Sequence, residues 1–308
     1  MSNIPKISVL IICYKQEELI RRALDSIIAQ REFVYEICVS DDCSPDNTWE
    51  VLKDYDRRYP GLFKLHRNNP NVGIFQNIEY TWTMPTGNMI YQLSGDDAIP
   101  NNYFKSIIEF INVNKIDYSK AVCIYTDYLE VMPSGSIVYH SNKKMFAADP
   151  LKLKIRQIIS NRGCCYSKAL LSKFKKVSQG KSYEVELAQD CQIQIFTDTI
   201  YYLPIPGNTY YTQIGVSTRM TNTERQQSAI DSFPFAGRFF ETCGYKLDIL
   251  DKNFLQFVEN FERYRLYKRK LDFLRTIFYY LTSIDIRLGL DGFQIVKFLR
   301  MVRRLFKK

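Results

Sequence analysis

The first hundred residues alternate between apolar runs and stretches with helical spacing, and no other feature constrains the fold as strongly. Residues 6–13 form a continuous apolar run, typical of a strand buried on both faces of a parallel sheet. Residues 17–30 then place their apolar side chains on one helical stripe. Further strands are predicted at 35–40, 63–66 and 88–93, and further helices at 46–59 and 74–83. Such repetition predicts an α/β fold with a mainly parallel central sheet.

Acidic pairs follow two of these predicted strands. Asp41 and Asp42 come after the second strand, and Asp96 and Asp97 come after the fourth, preceded by Gly95. Ligands of parallel sheets bind at the carboxyl ends of the strands. Carboxylates there can hold a divalent cation that neutralises a diphosphate, and Gly95 is expected to let that diphosphate approach the backbone. Each pair alone is also compatible with a turn and a helix cap.

Four segments together resemble the family 2 glycosyltransferases. They occur in the order and at the intervals of that family, at residues 7–14, 40–48, 68–73 and 93–97. The resemblance spans about residues 6–217, and the ordered set is specific where a single motif would be weak. It implies a GT-A fold, in which a nucleotide-binding α/β half is joined to an acceptor-binding half.

The resemblance also implies roles for side chains around the donor. Tyr14 and Asp41 match positions that hold the nucleoside, and Asn77 matches a position near the donor. Asp96 and Asp97 match the acidic pair that meets the ribose and a Mn²⁺ or Mg²⁺ ion. Of these two, Asp97 is expected to be the direct metal ligand.

Asp190 falls where the family places its catalytic base. A base of this kind takes the proton from an acceptor hydroxyl that attacks the anomeric carbon with inversion. An Asp near a predicted helix start at Gln189 is also explained by a cap. Three positions depart from the family pattern: Ser94 and Gln189 stand where acids are usual, and Gln213 ends a segment that usually reads Tyr-Arg-x-His. These departures affect the expected phosphate or metal contacts, not the reaction class.

Composition limits the class of protein. Hydrophobic residues make up 46% of the 308 and charged residues 24%, as in ordinary globular chains. No run reaches the roughly 18 to 20 apolar residues that a spanning helix needs. Eight cysteines without a CxxC pair are expected to be reduced and buried, which favours a cytoplasmic protein. The isolated histidines His66 and His140 are not expected to act in catalysis.

Charge separates the end of the chain from the rest. The net charge is +9, and residues 251–308 hold about +8 of it. We expect a glycosyltransferase domain at 1–220, with a nucleotide-sugar half at about 1–100 and an acceptor half at about 101–220, followed by a basic helical region at 221–308. Segment 292–308 has one apolar and one basic side, which predicts peripheral contact with an anionic inner-membrane surface. A helix that closes the fold or a dimer contact is the alternative. No nucleic-acid-binding motif accompanies the charge.

The expected activity is transfer of a sugar from a nucleotide diphosphate, UDP by family usage, to a saccharide or a lipid-linked saccharide. Bacterial surface-polysaccharide synthesis is the setting implied by the resemblance. Three alternatives remain at this level. A degenerate GT-A domain could act as a membrane scaffold. A nucleotide-sugar pyrophosphorylase would need a Gly-rich loop that residues 12–15 lack, and a dehydrogenase would need the absent G-x-G-x-x-G.

Overall fold

The computed structural model describes residues 4–146, 162–176, 182–212 and 221–284. The chain divides into two compact units. The first unit comprises Met1–Ala147 and Ser160–Arg219, and the second comprises Ala148–Ile159 and Met220–Lys308. The helix predicted from the sequence at 150–160 and the basic segment 292–308 lie outside the described residues.

The first unit is built on one mixed sheet. Its strands are β1 Ile7–Cys13, β2 Glu36–Asp41, β3 Phe63–Arg67, β4 Met89–Ser94, β5 Val122–Val131, β6 Ile137–His140, β7 Cys165–Ser167 and β8 Thr199–Tyr211. They are ordered β3-β2-β1-β4-β7-β5-β6, and β8 pairs with β5. The first four strands are parallel, β7 runs antiparallel between β4 and β5, and β8 is parallel to β5. The predicted α/β fold with a mainly parallel sheet is therefore confirmed.

Helices cover this sheet and bury its strands. They are α1 Ile20–Ile28, α2 Thr48–Arg58, α3 Ile74–Thr81, α4 Tyr103–Val113, α5 Lys168–Leu171 and α6 Ser182–Phe196. The apolar stripe of α1, which includes Ile20, Leu24 and Ile27, joins Val9 and Ile11 of β1 in one core cluster. All of β2 is buried, as expected for a strand with packing on both faces.

Strand β8 is longer than the sequence predicts. The sequence Tyr201-Tyr202-Leu203 predicts a short strand that ends before Pro204, but β8 continues to Tyr211. Among the described residues, β8 pairs with β5 and makes one isolated bridge to Ala98 at Thr209, beyond both prolines, so the missing proline N–H groups break no second ladder. The register shifts on both sides of Asp127, where Pro206 and then Asn208 oppose β5. The extension carries Asn208 and Tyr211 to the loop that follows β4.

The described part of the second unit is helical, as the sequence predicts beyond Thr221. Its helices are α7 Asn222–Thr242, α8 Ile249–Tyr267 and α9 Lys270–Thr282. A capping box between Thr221 and Glu224 begins α7, and the Asp248 carboxylate accepts from the Asp251 N–H at 2.8 Å to begin α8. Among the described helices, none is long and apolar enough to cross a membrane.

Candidate active site

The loops after β1 and β2 are tied together at the carboxyl edge of the sheet. The Lys15 N–H donates to Ser44 Oγ at 3.0 Å, and the Gln16 N–H donates to Thr48 Oγ1 at 2.9 Å. Tyr14 stands at this edge with 43% of its surface exposed. Its ring is therefore accessible for stacking on a flat ligand such as a nucleoside base.

Asp41 lies beneath this edge and is bonded within the protein. Its side chain is 0% exposed, and its carboxylate accepts from the Ser44 N–H at 3.1 Å, from Ser44 Oγ and from Arg67 Nε at 3.2 Å. Arg67 also donates through Nη2 to the Ser44 carbonyl at 2.7 Å. A base N–H would have to replace one of these donors to reach the Asp41 carboxylate.

Asp42 and Asn77 hold the segment that follows β3. The Asp42 carboxylate accepts from the backbone N–H groups of Val72 and Gly73, each at 2.9 Å, and from Asn68 Nδ2 at 2.9 Å. The Asn77 side chain, 2% exposed, accepts from Asn68 Nδ2 at 3.0 Å and donates to a β2 carbonyl. Asp42, which directly follows β2, thus has structural partners that the sequence did not reveal. The expected donor contact of Asn77 stays a prediction.

Asp96 and Asp97 form a separate group after β4. Asp97 is 4% exposed, and its carboxylate accepts two long hydrogen bonds, from Asn208 Nδ2 at 3.3 Å and from the Tyr211 N–H at 3.4 Å. Burial, followed by the neighbouring Asp96 carboxylate, raises the pKa of Asp97 to about 7. Asp96 is half-buried, and its carboxylate receives no hydrogen bond from the described residues. Two acidic side chains are therefore adjacent in this loop, and the charge of Arg162 partly opposes the rise in the pKa of Asp97.

Three buried polar atoms that have no hydrogen-bond partner among the described residues surround the same loop. They are Gln16 Oε1, Arg22 Nε and Asn208 Oδ1. The Arg22 guanidinium lies 3.5 Å from the Tyr211 ring centroid, and its Nη2 donates to the Asp96 carbonyl. Buried polar groups are normally satisfied, so a cluster of exceptions indicates a functional site.

Gly95 has a different use from the one expected. A Cβ at this position would overlap Gln16 Oε1 and lie 3.1 Å from Ile20 Cδ1. The missing side chain of Gly95 therefore makes room for Gln16 and α1 of the protein itself. The expectation that Gly95 lets a diphosphate approach the backbone has no support from this packing.

The residues around Asp97 fit a divalent cation. The carboxylates of Asp96 and Asp97 and the unpartnered Oδ1 of Asn208 are oxygen donors, which Mg²⁺ and Mn²⁺ prefer. Among the described residues, no group of three or more His, Cys, Asp and Glu side chains could hold a metal. Oxygens of the donor diphosphate and water would have to complete the coordination, which is how Mg²⁺ is commonly bound beside phosphates.

Asp190 lies in the interior of α6 and is 8% exposed. The explanation of Asp190 as a helix cap is therefore wrong, because α6 begins eight residues earlier, at Ser182. Burial raises the pKa of Tyr125 in β5, and the charges of Cys123, Cys164 and Asp190 add to this effect. The preceding Gln189 donates through Nε2 to Gln92 Oε1 of β4 at 2.6 Å.

Arg22, Gln16 and Asn208 were not singled out from the sequence. Arg22 is adjacent to Arg21 on an amphipathic helix, and nothing local distinguishes the two. Asn208 follows two prolines and a glycine, a pattern that indicates a turn. Their signal lies in tertiary contacts between segments more than 70 residues apart.

Comparison with known proteins identifies the family. The sequence profile of Glycosyl transferase family 2 matches residues 8–173, which is more than half of the chain. The chain therefore belongs to glycosyl transferase family 2. The matched span contains Tyr14, Asp41, Asn77 and the pair Asp96–Asp97, and it ends before Asp190.

Individual relatives are similar over shorter spans. A hyaluronan synthase of Pasteurella multocida is 29% identical over 147 residues, covering 45% of this chain and 14% of the relative. An uncharacterized protein of Mycobacterium tuberculosis is 38% identical over 91 residues, covering 29% of this chain and 26% of the relative. The chain thus spans about a quarter or less of the length of these relatives.

The fold is shared with a crystallised Staphylococcus aureus protein. The structure of S. aureus TarS 1-349 in complex with UDP-GlcNAc superposes with a TM-score of 0.60 at 16% identity, covering 91% of this chain and 82% of that TarS fragment. At this identity the likeness concerns the fold, and it supports the GT-A architecture implied by the sequence.

Proposed function

We propose that the protein transfers a sugar from a nucleotide diphosphate sugar to an acceptor hydroxyl. The observation that carries the proposal is the group after β4, where Asp97 is buried beside Asp96 and beside the unpartnered oxygen of Asn208. Asp96, Asp97 and Asn208 would hold a Mn²⁺ or Mg²⁺ ion. Such an ion, when bound, stabilises the negative charge that develops on a leaving diphosphate.

The donor is proposed to be UDP-linked. The family usage favours uridine, and S. aureus TarS, which shares the fold, binds UDP-GlcNAc in its crystal structure. The exposed ring of Tyr14 would stack on the base at the end of β1. Asp41 would face the base edge, and Asn77 would hold the adjoining loop against the donor.

Asp190 is proposed to be the catalytic base. Its carboxylate would accept the proton of the acceptor hydroxyl while that oxygen attacks the anomeric carbon, which gives inversion. Asp190 lies within α6 and is 8% exposed, so it is largely shielded from bulk water. A shielded carboxylate is a stronger base toward a bound hydroxyl than one in water.

Surface-polysaccharide synthesis is the proposed setting. It is supported by family usage and by the similarity to a hyaluronan synthase over 147 residues. The acceptor would then be a saccharide or a lipid-linked saccharide. Peripheral contact of segment 292–308 with the inner membrane face remains part of this proposal, and that segment lies outside the described residues.

Hydrolysis or transfer of a UDP-sugar by the purified chain tests the function. The wild-type chain should release UDP in the presence of Mn²⁺. Asp97→Asn and Asp190→Asn should each lower that rate by about 10²-fold or more, as removal of catalytic groups commonly does. Glu109→Gln, an exposed acid of α4, is the matched control and should leave the rate unchanged. Nucleotide binding without turnover in the wild type would favour the scaffold alternative.

A further inference from the structure

Helix α9 in the second unit presents its large apolar side chains to solvent. Leu271, Leu274, Phe278 and Leu281 are 57%, 52%, 59% and 61% exposed. Their spacing of three, four and three residues places them on one face of the helix. The stripe covers about 15 Å along the helix axis.

The opposite face of α9 is polar and buried. Asp272, Thr276, Tyr280 and Ser283 are 5%, 2%, 5% and 1% exposed. The Tyr280 ring lies 5.4 Å from that of Phe257 in α8, so this polar face packs on the neighbouring helix. A helix in water normally buries its apolar side, and α9 does the reverse. A contiguous exposed apolar face of this kind indicates an interaction surface.

Positive charge borders the stripe. Lys268, Arg269 and Lys270 are exposed at the start of α9, and Arg275 is exposed within it. The one acid of α9, Asp272, is on the buried side. The exposed side of α9 is therefore apolar and cationic, without a carboxylate of its own. Tyr267, 43% exposed at the end of α8, adds an aromatic ring of the kind found at water–lipid boundaries.

We propose that this face of α9 docks on an anionic lipid surface. The four apolar side chains would enter the boundary of the acyl chains, and the four cations would lie at the phosphate level of the headgroups. Charge complementarity selects this occupant, because a protein interface core is depleted of charge whereas a membrane-bound helix is rich in Lys and Arg. The proposal depends neither on the donor site nor on segment 292–308.

Sedimentation of the full chain with lipid vesicles tests the proposal. Vesicles of phosphatidylcholine alone are compared with vesicles that contain phosphatidylglycerol. The stripe variant combines Leu274→Gln with Phe278→Gln, and the charge variant combines Lys270→Gln with Arg275→Gln. Val113→Gln and Ile249→Gln are the controls, because these residues are 79% and 68% exposed but lie on other helices.

The wild-type chain and both controls should bind the anionic vesicles, and binding to phosphatidylcholine should be weaker. The stripe variant should bind at least tenfold less, and the charge variant should lose its preference for the anionic lipid. Failure of the wild type to bind, or equal binding by the stripe variant, overturns the proposal. A loss of oligomeric mass in the stripe variant would assign the face to a second copy. A lower melting temperature than that of the controls would assign it to packing within the chain, which also contradicts lipid docking.

Discussion

Glu36, at the amino edge of the sheet, is a buried acid whose pKa is set by its hydrogen-bond partners. It is 4% exposed, and its carboxylate accepts from Ser8 Oγ at 2.6 Å, from the Thr86 N–H at 2.5 Å and from Lys64 Nζ at 2.6 Å. Burial alone would raise the pKa of Glu36, but the bonds from Lys64, Ser8 and Thr86 outweigh it and lower the pKa to about 2.

Glu36 should therefore make stability depend on pH. Because its folded pKa lies below the unfolded value of 4.5, its stabilising effect is present above pH 4.5 and is lost as the pH falls toward 2. Glu36→Gln should lower the free energy of unfolding at pH 7 by about 2 kcal/mol, as for other hydrogen bonds to charged groups. Denaturant titrations at pH 7 and 3.5 measure the difference in the free energy of unfolding between Glu36→Gln and the wild type, which should be smaller at the lower pH. A difference that is the same at both pH values, or an equal difference for Glu109→Gln, contradicts this role of Glu36.

Asn208 contributes an unpartnered side-chain oxygen to the proposed cation site. Asn208→Ala removes Oδ1 and the hydrogen bond to Asp97, so Mn²⁺ affinity in the presence of UDP should fall by about tenfold. Electron paramagnetic resonance of free Mn²⁺ measures this affinity directly, without turnover.

Asn208→Asp should restore or increase Mn²⁺ affinity, because it returns an oxygen ligand with a negative charge. Asn114→Ala, on an exposed asparagine after α4, is the control and should have no effect. Unchanged Mn²⁺ affinity in Asn208→Ala would remove Asn208 from the proposed cation site.

At the scale of elements, β8 connects the sheet to the acidic loop. Ala98 and Thr209 exchange backbone hydrogen bonds of 3.1 and 2.8 Å, which fixes β8 beside Asp97. Gly207 lies immediately before Asn208, and its carbonyl accepts from the Tyr91 hydroxyl at 2.6 Å. This part of β8 is therefore bonded to Ala98 on one edge and to β5 on the other.

Gly207→Ala should destabilise the protein. An added Cβ would overlap Thr126 Oγ1 and would lie 2.6 Å from the Gly163 carbonyl oxygen and 2.8 Å from Tyr103 Cε2. Backbone and buried rings give way little, so the free energy of unfolding should fall by about 2 kcal/mol. Thermal and denaturant unfolding measure the change, and Thr199→Ala at an exposed position of β8 should have little effect. Equal stability of the two variants would show that β8 can move at Gly207.

Most of the strands and helices were predictable from the sequence, whereas the end of β8 was not. The strands β1, β2 and β4 and the helix α1 follow the apolar periods of the sequence, because burial on a sheet imposes those periods. The full length of β8 was not predictable, since Pro204 and Pro206 normally end a strand. Among the described residues, β8 meets no second strand beside these prolines, and this property of the assembled sheet allows it to pass them.

The site was predictable in part. Asp96 and Asp97 stand out because two acidic residues follow a strand end, and in the structure the Asp97 carboxylate accepts two long hydrogen bonds. Asp41 and Asp42 also form an acidic pair at a strand end. Their carboxylates, however, accept hydrogen bonds from Ser44 and from the segment after β3. Sequence alone does not distinguish these two situations, because the partners arrive from distant segments.

At the scale of the whole molecule, a family 2 glycosyltransferase unit is accompanied by a helical unit. The family profile covers residues 8–173, most of which belong to the first unit, whereas α7, α8 and α9 belong to the second. The proposed sugar transfer and the proposed docking of α9 on lipid therefore involve different units of one chain. Variants at Asp97 should alter the first property alone, and variants of the α9 stripe should alter lipid binding alone.

Calorimetric titration of the purified chain with UDP, once with Mn²⁺ and once with chelator, tests the assignment of the group after β4. UDP binding is expected to require Mn²⁺ and to be weakened at least tenfold by Asp97→Asn, while Glu109→Gln should bind UDP as the wild type does. Binding of equal strength in chelator, or full Mn²⁺-dependent binding by Asp97→Asn, would contradict the assignment of the group after β4 as the site for a cation and a nucleotide diphosphate.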